Sequence, residues 1–260
     1  MRPPPPFLAG PPEFTVGLRP IPLERWLAPD WEAAVLPWKR ALLKERLDEV
    51  CCALPGAAAA SREAARLMGA ETLLEAAALI SDDLVVLAPR DGAWVASALC
   101  LCSPTFFSAA EALGKSLERL HGPVPAPGLG ARIARVFAGL RPDLVLERCN
   151  WTVQPGPERY TPQAAPLFAR AARLGPAATA DILHLRVERQ TIRRLPETGA
   201  VVFTIRVSLD RLAAVLGAPA TRAAFAEAWS GAPGRVRDYK RWPQLDAAVR
   251  ALLERFEERA

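Results

Sequence analysis

Histidine is the residue type here with the most distinctive chemistry, and the chain has two, His121 and His184. His121 closes an amphipathic run and is followed at once by Gly-Pro-Val-Pro, a rigid turn that would hold an imidazole at a pocket wall. There it can ligate a metal, or it can sit at a helix C-terminus and interact with the dipole. His184 lies in DILHLRVERQTIRRL, on one face with Arg186, Glu188 and Gln190 if that segment is a strand. The cysteines, Cys51, Cys52, Cys100, Cys102 and Cys149, are odd in number and lack CxxC spacing. That argues against a disulfide framework and against a zinc or iron–sulfur centre, and reads as reduced core thiols, with Cys149 the one alternative thiolate ligand.

The charged candidates come from the same segment and its neighbour. DILHLRVERQTIRRL and AVVFTIRVSL alternate with period two around Pro-Glu-Thr-Gly, which predicts a hairpin. If the two apolar faces coincide, a turn centred on Glu197 pairs Glu188 with Arg206 and Arg186 with Ser208. The expectation is one polar face carrying a carboxylate–guanidinium pair.

The elements that must position these groups read as follows. Residues 3–22 are Pro-rich, an extended arm on the body or mobile in solution; the domain division is an arm at 1–25 and a domain at 26–260. A helix begins near Pro37 and carries Leu42, Leu43, Leu47, Val50 and Leu54 on its apolar face. A second helical stretch, 61–80, takes Ser61 as its cap. Asp91–Gly92 marks the turn of a hairpin, residues 108–120 read as one amphipathic helix, and residues 144–153 read as a strand. The last fifty residues are helical. Mixed order with antiparallel hairpins gives an α+β class in a single domain.

Composition limits the function. At 260 residues, with 51% hydrophobic and 23% charged residues, the chain can build one substantial core. The net charge of +5 is scattered over arginines, and the clusters at 186–194 and 235–241 lack interleaved aromatics, which argues against nucleic acid as a partner. No secretory signal and no spanning stretch are evident, which predicts a cytoplasmic chain without a membrane partner. No GxGxxG opens a helix after a strand, so nicotinamide or flavin must belong to another protein.

Several short elements occur in the order in which one family carries them: Asp82–Asp83–Leu84, Cys-Ser-Pro (102–104), LHGPVP (120–125), RCNW (148–151), RVERQTIRRLP (186–196), FTIR (203–206) and Tyr239–Lys240. In these the chain resembles the haem-dependent oxidative N-demethylase family, haem (alpha) subunit. The match at 186–196 is the specific one. The resemblance implies a PAS-like α+β fold with an antiparallel sheet core and flanking helices, haem b as cofactor, and a haem-dependent oxidoreductase of monooxygenase type. It implies oxidative N-demethylation of a small secondary amine, dimethylamine-like, by O2 with release of formaldehyde. Electrons would come from an external NAD(P)H-dependent flavin and iron–sulfur reductase. The alternative is a non-catalytic PAS-like module that binds haem or another small ligand.

Carried over residue by residue, the resemblance implies His121 as iron ligand, with His184 as fallback. Arg186, Arg189, Arg193, Arg194 and Arg206 would hold propionates, and Trp151 would border the haem or close the core. Glu188 and Asp83 would face a protonated amine, with Arg206 beside them. The chain departs from the family at Asp82, at residues 104–107 (Pro-Thr-Phe-Phe) and at Ala112–Leu113; these changes bear on the amine substrate more than on fold or haem.

Overall fold

The protein is described from a computed structural model covering residues 4–27, Pro29 and 31–258. Among these, the strands are β1 (Arg19–Ile21), β2 (Cys51–Ala53), β3 (Asp83–Arg90), β4 (Ala93–Cys100), β5 (Val145–Pro155), β6 (Leu183–Arg194) and β7 (Val201–Arg211). They form one antiparallel sheet in the order β1-β5-β6-β7-β3-β4-β2. With helices packed on it the domain is α+β. The β3–β4 turn is Asp91–Gly92, both at positive φ (51° and 77°), the backbone that a two-residue hairpin of matching twist demands.

Both faces of the sheet are covered, so both are largely apolar. One carries Leu84, Val86, Val202 and Val145, packed under the helices Val35–Glu45, Ala58–Arg66 and Leu73–Leu79. Further along the same face, Trp151, Val153, Leu185 and Val187 pack with the helices Ala165–Ile182, Pro219–Ser230 and Asp246–Glu257. The opposite face splits in two. Val85, Leu87, Leu99 and Ile192 meet the helices Leu117–His121 and Leu129–Gly139, while the β5–β6 part beyond them is polar.

Three local expectations are corrected. The β6–β7 hairpin does not pair Glu188 with Arg206 or Arg186 with Ser208: Glu188 lies opposite Val207, Arg186 opposite Leu209, and Arg206 opposite Arg189. The loop between Leu195 and Ala200, which bond at 2.7 Å, has four residues, and an even loop shifts the register by one. A shift of one turns every side chain of β7 to the other face. The loop is fixed from outside. The Glu63 carboxylate accepts Glu197 N–H (2.6 Å) and Thr198 N–H (2.8 Å), and Gly199 supplies the left-handed residue at φ 69°.

Ser61 is not a cap: it lies inside the helix Ala58–Arg66, which starts three residues earlier, and Thr72 caps the next helix, exchanging bonds with Glu75 three residues on. Nor is 108–120 one helix. It breaks into Ala109–Ala112 and Leu117–His121 because Gly114, at φ 76°, donates to Ala96 O (2.9 Å), and Lys115 O accepts from Ala96 N–H.

The Pro-rich start is bound to the body in its described part. Its strand β1 pairs with β5, and Phe7, 1% exposed, stands edge-on to Trp151 and Phe225 at 5.7 and 5.4 Å between ring centroids. Truncating that ring removes a fully buried aromatic, so Phe7→Ala should lower the unfolding free energy by about 3–5 kcal/mol. Urea denaturation measures this; a loss below about 1 kcal/mol would show that the start of the chain contributes little to the core.

Candidate functional site

The polar half of the sheet is built by direct cross-strand pairs. Asn150 lies opposite Glu188, Arg148 opposite Gln190, Thr152 opposite Arg186, and Gln154 opposite His184. Period-two alternation puts all eight side chains on one face. Glu188 is the hub: Gln190 Nε2 donates to its Oε2 at 2.9 Å, Asn150 Nδ2 to the same oxygen at 3.3 Å, and the Thr105 hydroxyl to Oε1. Lys240 reaches in from the C-terminal region, donating to Asn150 Oδ1 (3.0 Å) and Trp151 O (2.8 Å).

Arg186 lies beneath this cluster, with 0% of its side chain exposed. Nε donates to Thr105 Oγ1 (2.7 Å), Nη1 to Gln154 Oε1 (3.1 Å), and Nη2 to Ser103 O (2.5 Å) and Pro104 O (3.2 Å). It therefore pins the segment after β4 onto the sheet. Burial pushes its pKa down to about 10, opposed by Glu188 and Asp83, so it stays charged at neutral pH.

Lys240 is also pushed down, to about 8, by burial and by Arg148, with Glu188 acting the other way. Burial likewise lowers Arg148, which Glu188 partly offsets. Asp83, 1% exposed, accepts Cys102 N–H (2.8 Å) and Ser103 N–H (2.7 Å). Burial raises its pKa to about 6 against Lys39, both amide bonds and Arg186.

The other sequence candidates separate by face. Arg206 is on the face away from Glu188, where Nε donates to Asp82 Oδ2 at 2.8 Å and its guanidinium lies 5.1 Å from the Trp31 ring centre. Arg189 shares that face, donating to Glu147 Oε1 (2.6 Å), Trp26 O (3.0 Å) and Arg25 O (2.6 Å). Trp151 is core, 4.9 Å from Trp242 between ring centres. Arg194 donates to Ala138 O at 3.1 Å, and Arg193 lies 4.6 Å over the Trp26 ring. Thr105, Gln190 and Lys240 enter the cluster without having been assigned a role there: the alternation of β6 put Gln190 on this face, Lys240 belonged to a family element and Thr105 to a departure from one, but nothing local joined Thr105 or Lys240 to Glu188.

His121 ends the helix Leu117–His121, half-buried, and its Nδ1 is 2.7 Å from Leu117 O. A carbonyl partner makes Nδ1 the protonated nitrogen and leaves Nε2 as a bare lone pair, for which no partner exists among the described residues. Burial lowers the imidazole pKa, the Leu117 carbonyl opposes this, and the charge of Arg148 lowers it further. The ring is thus neutral at pH 7 and near Arg148. His184 has the same lock, Nδ1 to Ile182 O at 2.8 Å, and lines a cavity of about 440 Å3 with Pro4, Pro5, Val187 and Ser208. A wider groove of about 750 Å3, lined by Arg40, Arg66, Glu75 and Leu79, belongs to the helices of the other face.

Fold and site define an α+β sheet protein that offers an oriented neutral imidazole beside a buried charge cluster, a donor set that fits haem iron. The profile of the family described as haem-dependent oxidative N-demethylase, alpha subunit-like, matches residues 67–250, and the chain belongs to that family. The matched stretch contains His121, the β5–β6 cluster and Lys240. No helix among the described residues is long and apolar enough to cross a membrane.

The buried Asp83 carboxyl, which accepts the Cys102 and Ser103 amides, can be tested by its titration. Its folded pKa lies above its unfolded value, so the native state binds the proton first as pH falls, and this group's contribution to stability grows through that window. Relative to Asp83→Asn, which does not titrate, the wild type should gain about 1 kcal/mol of unfolding free energy between about pH 7 and about pH 5. A pH-independent difference between the two proteins overturns the assignment.

Proposed function

We propose that this protein is the haem b-binding subunit of an oxidative N-demethylase acting on a small secondary amine of the dimethylamine type. His121 would hold the iron. The observation that carries this is the Nδ1–Leu117 O bond, which leaves Nε2 without a partner among the described residues on a ring close enough to Arg148 to feel its charge. Haem dependence follows from the family; non-covalent haem b is the form suited to a chain without a CxxCH attachment sequence. A PAS-like fold belongs to the same reading, supported by one antiparallel sheet with helices on both faces.

When bound, haem supplies the oxygen activation and methyl oxidation. The chain's own groups do the rest. Glu188, with 12% of its side chain exposed, presents a carboxylate held in place by three donors and orients a protonated amine. Arg186 and the 103–105 segment close the floor beneath it and keep water from that side. Overall, one O2, two electrons and two protons convert dimethylamine to methylamine, formaldehyde and water. The electrons come from a separate NAD(P)H-dependent flavin and iron–sulfur reductase, in keeping with a family of alpha subunits and with a sequence lacking such motifs.

Titration of the purified protein with hemin should give a Soret band that His121→Ala abolishes and His184→Ala preserves. The reverse pattern would transfer the ligand role to His184, and no band at all in the wild type would end the haem assignment. Reduced, haem-loaded protein given O2 and a panel of amines should release formaldehyde. A Soret band without formaldehyde from any of them leaves a haem-binding module and removes the demethylase activity.

A further inference from the structure

Two cations on the Glu188 face lack a carboxylate. Among the described residues neither Arg148 nor Lys240 has an acidic oxygen within the 4.0 Å of an ion pair; both feel the charge of Glu188, whose two oxygens are already engaged by Thr105, Asn150 and Gln190. Asp83, the other acid on this face, is closed off by the Cys102 and Ser103 amides. Three cations, Arg148, Arg186 and Lys240, therefore face one carboxylate that a ligand can reach. Lys240 is buried and Arg148 half-buried; an anion bound between them offsets the cost of keeping the ammonium charged out of water, while the partly exposed Arg148 edge stays open to a ligand.

The geometry of Arg148 says what kind of anion. Its Nη1 is used by Thr15 O (2.9 Å) and Val16 O (3.3 Å), whereas Nε and Nη2 have no partner among the described residues. Nε and Nη2 form the side-on edge that receives a planar carboxylate, and it is this edge that Arg206 uses to hold Asp82 on the other face. The Nη1 bonds fix the guanidinium in place, so its open edge is already oriented. Lys240, from outside the sheet, is bound to the side chain of Asn150, which is the next residue of β5 on the same face as Arg148.

We propose that Arg148 and Lys240 form a carboxylate-binding subsite beside His121, with Arg148 gripping the carboxylate through Nε and Nη2 and Lys240 supplying the second charge. Two ligands carry such a group: haem through its propionates, and an N-methylated amino acid through its own carboxylate. The propionate case rests on the haem reading above; it moves that role from Arg186 and Arg189, whose donors are all committed within the protein, to the pair left open.

The test compares hemin with hemin dimethyl ester, which has the same macrocycle and no carboxylate. In Soret titrations the wild type should bind hemin about tenfold or more tightly than the ester. Arg148→Met and Lys240→Met should each weaken hemin by about tenfold and leave the ester unchanged. The ester is thus an internal control for folding. An equal loss for both porphyrins, or no wild-type preference together with no response to the amino acid below, overturns the subsite.

A second arm identifies the source of the carboxylate. If the variants leave the hemin-to-ester ratio intact but abolish a thermal shift given by N-methylglycine and not by dimethylamine, the carboxylate belongs to the substrate. If the wild type binds neither porphyrin, the haem reading fails by itself, and the thermal shift with N-methylglycine decides the subsite alone: present in wild type and lost in both variants, or absent and the subsite with it.

Discussion

The guanidinium of Arg186 is the constraint on which the site depends. It is fully buried, carries its charge at neutral pH, and distributes its donors over Thr105, Gln154, Ser103 and Pro104. A cation in that position is tolerable only because those oxygens and the Glu188 carboxylate, 3.9 Å from Nε, answer it. The converse also holds. Residues 103–105 pair with other backbone only through an isolated bridge from Thr105 to Thr161; Arg186 donates to the Ser103 carbonyl, shares the Pro104 carbonyl with the Thr161 hydroxyl, and holds Thr105 where it can donate to Glu188. The shape of the segment and the state of the carboxylate are one arrangement.

From that arrangement the division of the sheet follows. Two apolar clusters cover one face along its length, so the buried cations there, Arg189 and Arg206, are matched one to one by Glu147 and Asp82. The other face is apolar where the helix Leu117–His121 packs and polar where Arg186 anchors the loop. His121 sits at the junction, close enough to Arg148 for that cation to disfavour its protonation, yet fixed by its own helix. An imidazole oriented by local backbone thus lies next to a charge cluster oriented by tertiary contacts.

Much of the secondary structure was legible in the residues. Asp91–Gly92 as a hairpin turn, the strand through RCNWTV and the alternation of β6 all rest on local chemistry: left-handed backbone at Gly, β-branched runs and period-two polarity. The elements that were misread failed for a common reason. Glu63 looked like part of a cap with Ser61 but lies inside the helix, its carboxylate taken by the 197–198 amides, and 108–120 looked like a helix until Gly114 and Lys115 bonded to Ala96 of β4. In each case a partner distant in sequence outbid the local pattern.

The sequence by itself determined the α+β class, the strands that carry the polar groups, the two histidines that can ligate and the family to which they belong. Only the tertiary structure decided which polar groups share a face. The assumption that apolar faces must coincide across β6 and β7 holds for a sheet with one wet side; here both sides are buried, so polarity could not set the register, and a four-residue loop held by Glu63 did. That single step put Arg206 against Asp82 and left Glu188 to Thr105, Asn150 and Gln190; the packing of the C-terminal region separately brought in Lys240, ninety residues downstream of its partner Asn150.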